Sequence, residues 1–119
     1  MVVAELDTLR KTSTSCQTVA FADLSTQMIL VTDTQSTLPR EALDTLCKQA
    51  ASVLDVDGKA ALGVNPARMA LVADKTSVRL FFRATDEPSD VICCVCTPDV
   101  DVAQFVADAT DCLNRISNG

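Results

Sequence analysis

The chain has 119 residues, 10 Lys plus Arg against 16 Asp plus Glu, a formal net charge of −6, an apolar fraction of 48% and no His, Trp or Tyr. That length can bury a core without disulfide or metal staples, so a single domain over 1–119 is expected. The acidic balance speaks against a nucleic-acid backbone or an anionic membrane face as partner, and the lack of His removes imidazole as base, proton shuttle or metal ligand.

Met1 to Lys11 carries Glu5 and Asp7 and lacks a basic leader, so no secretory signal is expected there. The longest purely apolar run, Val91 to Cys96, falls far short of the ~20 residues needed to cross a bilayer. A cytoplasmic location is the expectation, with the six Cys as reduced thiols.

Val2, Leu6 and Leu9 recur at helical spacing and predict a short amphipathic helix, which the Thr12-Ser13-Thr14-Ser15 run interrupts. Val19 and Phe21, then Met28 to Val31, flank a polar patch and predict strands near 17–23 and 27–33 joined by a loop of three to five residues. Four consecutive apolar residues, Met28 to Val31, suggest that the second strand is covered on both faces. Hydroxyl residues before Leu38-Pro39 suit a helix start, and a helix is predicted over about 39–54. Its stripe of Leu43, Leu46, Cys47, Ala50, Val53 and Leu54 fits core packing or, with small Ala42, Cys47, Ala50 and Ala51, a close interface.

Asp55 to Arg68 contains Gly58, Gly63 and Asn65-Pro66 without a period and reads as a long loop. Met69 to Ala73 and Val78 to Arg83 form a second hairpin about the turn Asp74-Lys75-Thr76-Ser77. A further turn, Thr85 to Ser89, leads to Val91-Ile92-Cys93-Cys94-Val95-Cys96, which reads as a central strand covered on both faces. Asp101 with Gln104 gives a box-like start to a last helix, along which Val102, Phe105, Val106, Ala109, Cys112, Leu113 and Ile116 repeat at helical spacing up to Asn118-Gly119. The order is α-β-β-α-β-β-β-α. The expected fold is an α/β (α+β) domain, a five-stranded antiparallel sheet sandwiched by helices.

Residues able to carry chemistry are few. On a strand Cys94 and Cys96 share one face while Cys93 points to the other, so the triplet cannot converge on one metal ion, and buried thiols behaving as small hydrophobes are the better reading. A catalytic Cys would lack a His to activate it. Asp55-Val56-Asp57-Gly58 fails as a calcium loop, because aligning Gly58 with the sixth position leaves Val53 and Val64 where oxygen ligands are needed. Gly58 to Gly63 lacks the order of a phosphate-cradling loop. Asp99, Asp101, Asp108 and Asp111 read as a solvated face. No catalytic, metal or cofactor-binding set is expected.

The element order, with Thr18-Val19-Ala20-Phe21-Ala22-Asp23, Met28-Ile29-Leu30-Val31-Thr32-Asp33 and the helix from Pro39, resembles the Roadblock family over Val2 to Ile116. These are dynein-light-chain-like proteins whose bacterial members include regulators of small Ras-like GTPases, and profilin-like folds share the layout. The resemblance implies a homodimer in which the second helices pack near one another and the third strands, about 68–74, pair edge to edge. It also implies a non-enzymatic adaptor or regulatory subunit, acting on a small Ras-like GTPase or within a motor or signalling complex. An apolar edge such as Met69 to Ala73 needs a partner or a cover on physical grounds as well. The interface residues expected are Leu43, Cys47 and Ala50 on the helix and Met69, Leu71 and Ala73 on the strand. The competing reading is a small-molecule-sensing domain with a pocket near Phe21, Phe82 and Phe105, poorly supplied at 3% aromatic residues.

Overall fold

A computed structural model describes residues 2–54, 68–84, 87 and 89–118. Its elements are α1 (Val2–Thr12), β1 (Cys16–Asp23), β2 (Met28–Thr32), α2 (Arg40–Leu54), β3 (Met69–Ala73), β4 (Val78–Arg83), β5 (Asp90–Cys96) and α3 (Val102–Asn118). The expected order is reproduced. The loop expected over 55–68 lies, apart from Arg68, outside the described residues, as do Thr85, Asp86 and Pro88 of the following turn and the terminal Gly119.

The strands form one antiparallel sheet in the order β2-β1-β5-β4-β3. The period of two in each strand divides its side chains between two cores. On one face Val19, Leu80, Phe82, Ile92, Cys94 and Cys96 pack against Leu6 and Leu9 of α1 and Phe105, Ala109, Cys112 and Leu113 of α3. On the other, Ala20, Ala22, Ile29, Phe81, Val91 and Cys93 pack against Leu43, Leu46, Cys47, Ala50 and Leu54 of α2. Thus β5 is covered on both faces, as its apolar run requires, and Cys93 points away from Cys94 and Cys96.

Local chemistry fixes the ends of these elements. Asp101 Oδ1 accepts the Gln104 N–H at 3.2 Å, capping α3, while the Gln104 side chain donates forward to Asp108 at 3.0 Å and leaves the capping box half made. In α2 the Pro39 carbonyl accepts the Leu43 N–H at 3.1 Å, so the helix begins just after the proline. At its other end Arg83 Nη2 donates to the Leu54 carbonyl at 2.8 Å, placing a cation at the negative end of the helix. Four residues, 24–27, join β1 to β2. There Asp23 Oδ1 accepts the Ser25 N–H at 2.9 Å, and Gln27 takes a left-handed φ of 56°.

One expectation for the sheet is corrected. β2 lies at an edge, and Met28 and Leu30 are 47% and 55% exposed, so its apolar run is not covered on both faces. The pairing register shifts between Phe21 and Ala22, where Leu30 has no counterpart on β1, and across this bulge Ile29 packs in the α2 core while Val31 packs partly against the other.

Candidate functional site

The other edge of the sheet is β3, five residues without a charge among them. The Arg83 N–H donates to the Arg68 carbonyl at 2.8 Å and the Asp74 N–H to the Ser77 carbonyl at 2.9 Å. Both pairs share the register that sets Met69 against Phe82, Leu71 against Leu80 and Ala73 against Val78. Hydrogen-bonded pairs alternate along an antiparallel ladder, so they fall at 68, 70, 72 and 74, and the backbone N–H and C=O groups of Met69, Leu71 and Ala73 point away from β4. No described strand lies beyond them.

The same three residues carry exposed side chains, with Met69 43% and Leu71 42% accessible. Their register with Leu80 and Phe82 puts them on the face of α1 and α3, whose cover does not reach this far. Ala70 and Val72 turn to the opposite face and pack partly against the α2 core. The edge therefore joins unpaired main-chain donors and acceptors to an apolar strip, the combination that an added strand satisfies.

The helix residues expected beside this strip are placed differently. Leu43, Cys47 and Ala50 are 9%, 1% and 0% exposed and face the sheet, within the chain's own core. The stripe packs α2 against Ala20, Ala22 and Phe81, and α2 turns Glu41, Asp44, Lys48 and Ser52 outward. Beside the helix, Leu38, Glu41, Ala42, Thr45, Leu46 and Gln49 face Arg79 and Val95 across an open groove of about 370 Å³. Arg79 Nη2 donates to Asp74 Oδ2 at 2.9 Å, while its buried Nε has no acceptor among the described residues. Backbone N–H groups, that of Thr76 first, hold the Asp74 carboxyl below its ordinary range.

Other sequence candidates resolve on simple grounds. Phe82 and Phe105 are buried against each other with ring centroids 6.3 Å apart, and Phe21 packs partly against their cluster, so these rings fill the space in which the sensing alternative placed its pocket. Asp99 and Asp101, with Gln104 and Asp108, line an open cleft with Thr12 to Ser15, and the Thr97 and Ser15 hydroxyls hold Asp99 below its ordinary range. Among the described residues no group of three His, Cys, Asp or Glu side chains is placed to hold a metal ion, and no helix is long and apolar enough to cross a membrane. Burial pushes the Cys47 and Cys93 thiols up, which makes them poor nucleophiles. What the β3 side offers is shape, apolar contact and main-chain hydrogen bonding, the means of binding another polypeptide.

Sequence reasoning missed the buried ion pair of Arg10 and Asp33 and the exposure of Met28 and Leu30. The first joins residues distant in the chain, and the second follows from the place of β2 at a sheet edge, which the spacing of apolar residues does not report.

One antiparallel sheet in this strand order, with α1 and α3 on one face and α2 on the other, is the Roadblock/LC7 fold. Among solved structures the chain is similar to a Roadblock/LC7 domain from Streptomyces avermitilis, at a TM-score of 0.79 and 9% identity, covering 97% of this chain and 93% of that one. It is also similar to an MglB with a tetrameric arrangement, at a TM-score of 0.76 and 9% identity, covering 98% and 85%. Myxococcus xanthus MglB aligns at a TM-score of 0.73 and 14% identity, covering 98% and 94%. No protein-family model and no curated protein matches the sequence.

Proposed function

We propose that the chain is a non-enzymatic adaptor or regulatory subunit that works as a homodimer joined through β3, with a small Ras-like GTPase as the class of partner its joined surface receives. The observation that carries this reading is the coincidence, on Met69, Leu71 and Ala73, of outward main-chain groups and exposed apolar side chains. An antiparallel pair with its two-fold axis at Leu71 lets that residue pair with its own copy, and Met69 with Ala73 of the second copy. The same register sets Arg68 opposite Asp74 of the second copy, so the ends of the strip are complementary in charge. The two sheets then become one, flanked by α2 of each subunit, and the exposed residues of those helices face whatever docks there.

The fold supports the partner class. A similar structure, an MglB, is described with a tetrameric arrangement, and the family resemblance supplies the Ras-like GTPase. Leu43, Cys47 and Ala50 enter as the residues that fix α2 to the sheet.

Light scattering on the purified chain tests the self-association. A mass near twice 12.7 kDa is expected, and Leu71→Lys, which sets like charges on the two-fold axis, should give a monomer with unchanged circular dichroism. Met28→Lys, on the opposite edge, should remain a dimer. A wild-type chain that stays monomeric at high micromolar concentration overturns the proposal. Affinity capture of nucleotide-loaded Ras-like GTPases from the native host, with Leu71→Lys as control, tests the partner class.

A further inference from the structure

We propose that Cys16 and Cys96 form a modification site, a pair of thiols placed to close an intramolecular cross-strand disulfide when a peroxide supplies the oxidising equivalents. All six Cys are free and buried. Only this pair, among them, stands directly opposite across two strands: Cys16 of β1 pairs with Cys96 of β5, whereas Cys94 faces Val19 and Cys93 faces Ala20. Cys47 belongs to the opposite core, and the Cys112 thiol, from α3, is hydrogen-bonded to the Glu5 carbonyl at 3.5 Å.

The kind of pair matters as much as the pairing. The Thr97 N–H donates to the Ser15 carbonyl at 2.8 Å, which makes Ser15 and Thr97 the hydrogen-bonded pair and Cys16 and Cys96, next along the ladder, a non-hydrogen-bonded one. In such pairs the Cα atoms lie about 4.5 Å apart and the side chains approach closely, within the roughly 4.4–6.8 Å that a disulfide spans. Immediately after Cys16 the register shifts before Thr18, and the Cys16 N–H bonds back to the Ser13 carbonyl at 3.1 Å. The first residue of β1 thus sits at an interrupted end of the ladder, where a small backbone adjustment disturbs few hydrogen bonds. Ser13, Thr14 and Ser15, which lead into it, line the open polar cleft described above, and Cys16 is 7% exposed.

The electrostatics agree with the geometry. The Cys16 thiol donates to the Thr18 carbonyl at 3.7 Å, and its interaction with the Cys96 sulfur holds Cys96 below the ordinary thiol value and Cys16 above it. Burial raises the other four thiols, Cys112 to about 11. The pair thus sets the one thiol lowered by its surroundings, Cys96, beside the most exposed of the six, Cys16.

The step balances as follows. One sulfur, as thiolate, attacks a peroxide oxygen and becomes a sulfenic acid, cleaving the O–O bond. The second sulfur displaces water from it and forms the S–S bond. The two thiols lose two electrons and two protons, and hydrogen peroxide is reduced to two molecules of water. The closed loop from 16 to 96 holds the whole sheet and α2, so it constrains the unfolded chain.

The test uses the full-length reduced chain and hydrogen peroxide, followed by quenching, alkylation in denaturant and peptide mass mapping. Two of the six thiols should become unavailable, the Cys16 and Cys96 peptides should be recovered joined, and the melting temperature should rise and return on reduction. Cys16→Ala should abolish the loss of thiols, and Cys47→Ala should leave it intact. Retention of all six thiols, a linkage to any other Cys, or linkage only between chains overturns the proposal. The wild-type peptide map decides the matter even where a variant fails to fold.

Discussion

Asp33 ties together separate parts of the chain. Its side chain is fully buried; Oδ1 accepts the Val19 N–H at 3.0 Å and Oδ2 accepts the Gln35 N–H at 3.2 Å. Arg10 Nε of α1 lies 2.9 Å from Oδ2 but off the line of a directed hydrogen bond, so that contact is one of charge. Removing the carboxylate leaves a largely buried guanidinium and two amides without partners, so Asp33→Ala should cost about 3–5 kcal/mol in urea unfolding. Adding Arg10→Met should recover part of that loss, since the stranded charge goes with it. None of this was legible beforehand: Asp33 ends an ordinary apolar strand, and its ion-pair partner lies on a helix whose spacing reports only which face is buried.

At the scale of elements, the stripe on α2 shows how far spacing reaches. Leu43, Leu46, Cys47 and Ala50 announce a buried face but not what buries it, and an apolar sheet and a second helix leave the same mark. The structure assigns the stripe to the sheet, where Ala20, Ala22 and Ala50, all at 0% exposure, allow close approach. Ala50→Leu should therefore lower stability by about 1–3 kcal/mol through overpacking, read from thermal or urea melts, and leave the subunit count unchanged. The apolar run of β5 was more telling, because a short run bounded by turn signals has to be covered on both sides. The same argument misled for β2, which lies at an edge of the sheet and leaves Met28 and Leu30 exposed. In β3 it was silent, since five uncharged residues show no alternation and their outward set follows only from the hydrogen-bond register with β4.

For the whole molecule, the excess of acid shapes the response to pH. Asp7, Asp23, Asp74 and Asp99 are held below the ordinary value of 3.8, chiefly by hydrogen bonds from Thr34, Ser25, Thr76 and Thr97 respectively. Each contributes stability that is complete above that value and is lost as pH falls through its lowered one. Asp90 runs the other way: burial raises it, so the fold gains slightly as it is protonated on the way down to its ordinary value. Melting temperatures should thus be level or rise a little from pH 6 towards about pH 4 and decline below it, and Asp74→Asn should make that decline shallower.

The kinked β2 also bears on how large any assembly grows. In the proposed dimer, with β3 taken up by its twin, the merged platform would have a β2 at each outer rim, each interrupted by the bulge that leaves Leu30 without a counterpart. A bulged rim is a poor template for one more strand, so in that dimer stacking would halt instead of running on into a fibril. The irregularity that spoils the pattern of one short segment would act as the stop that keeps the particle finite.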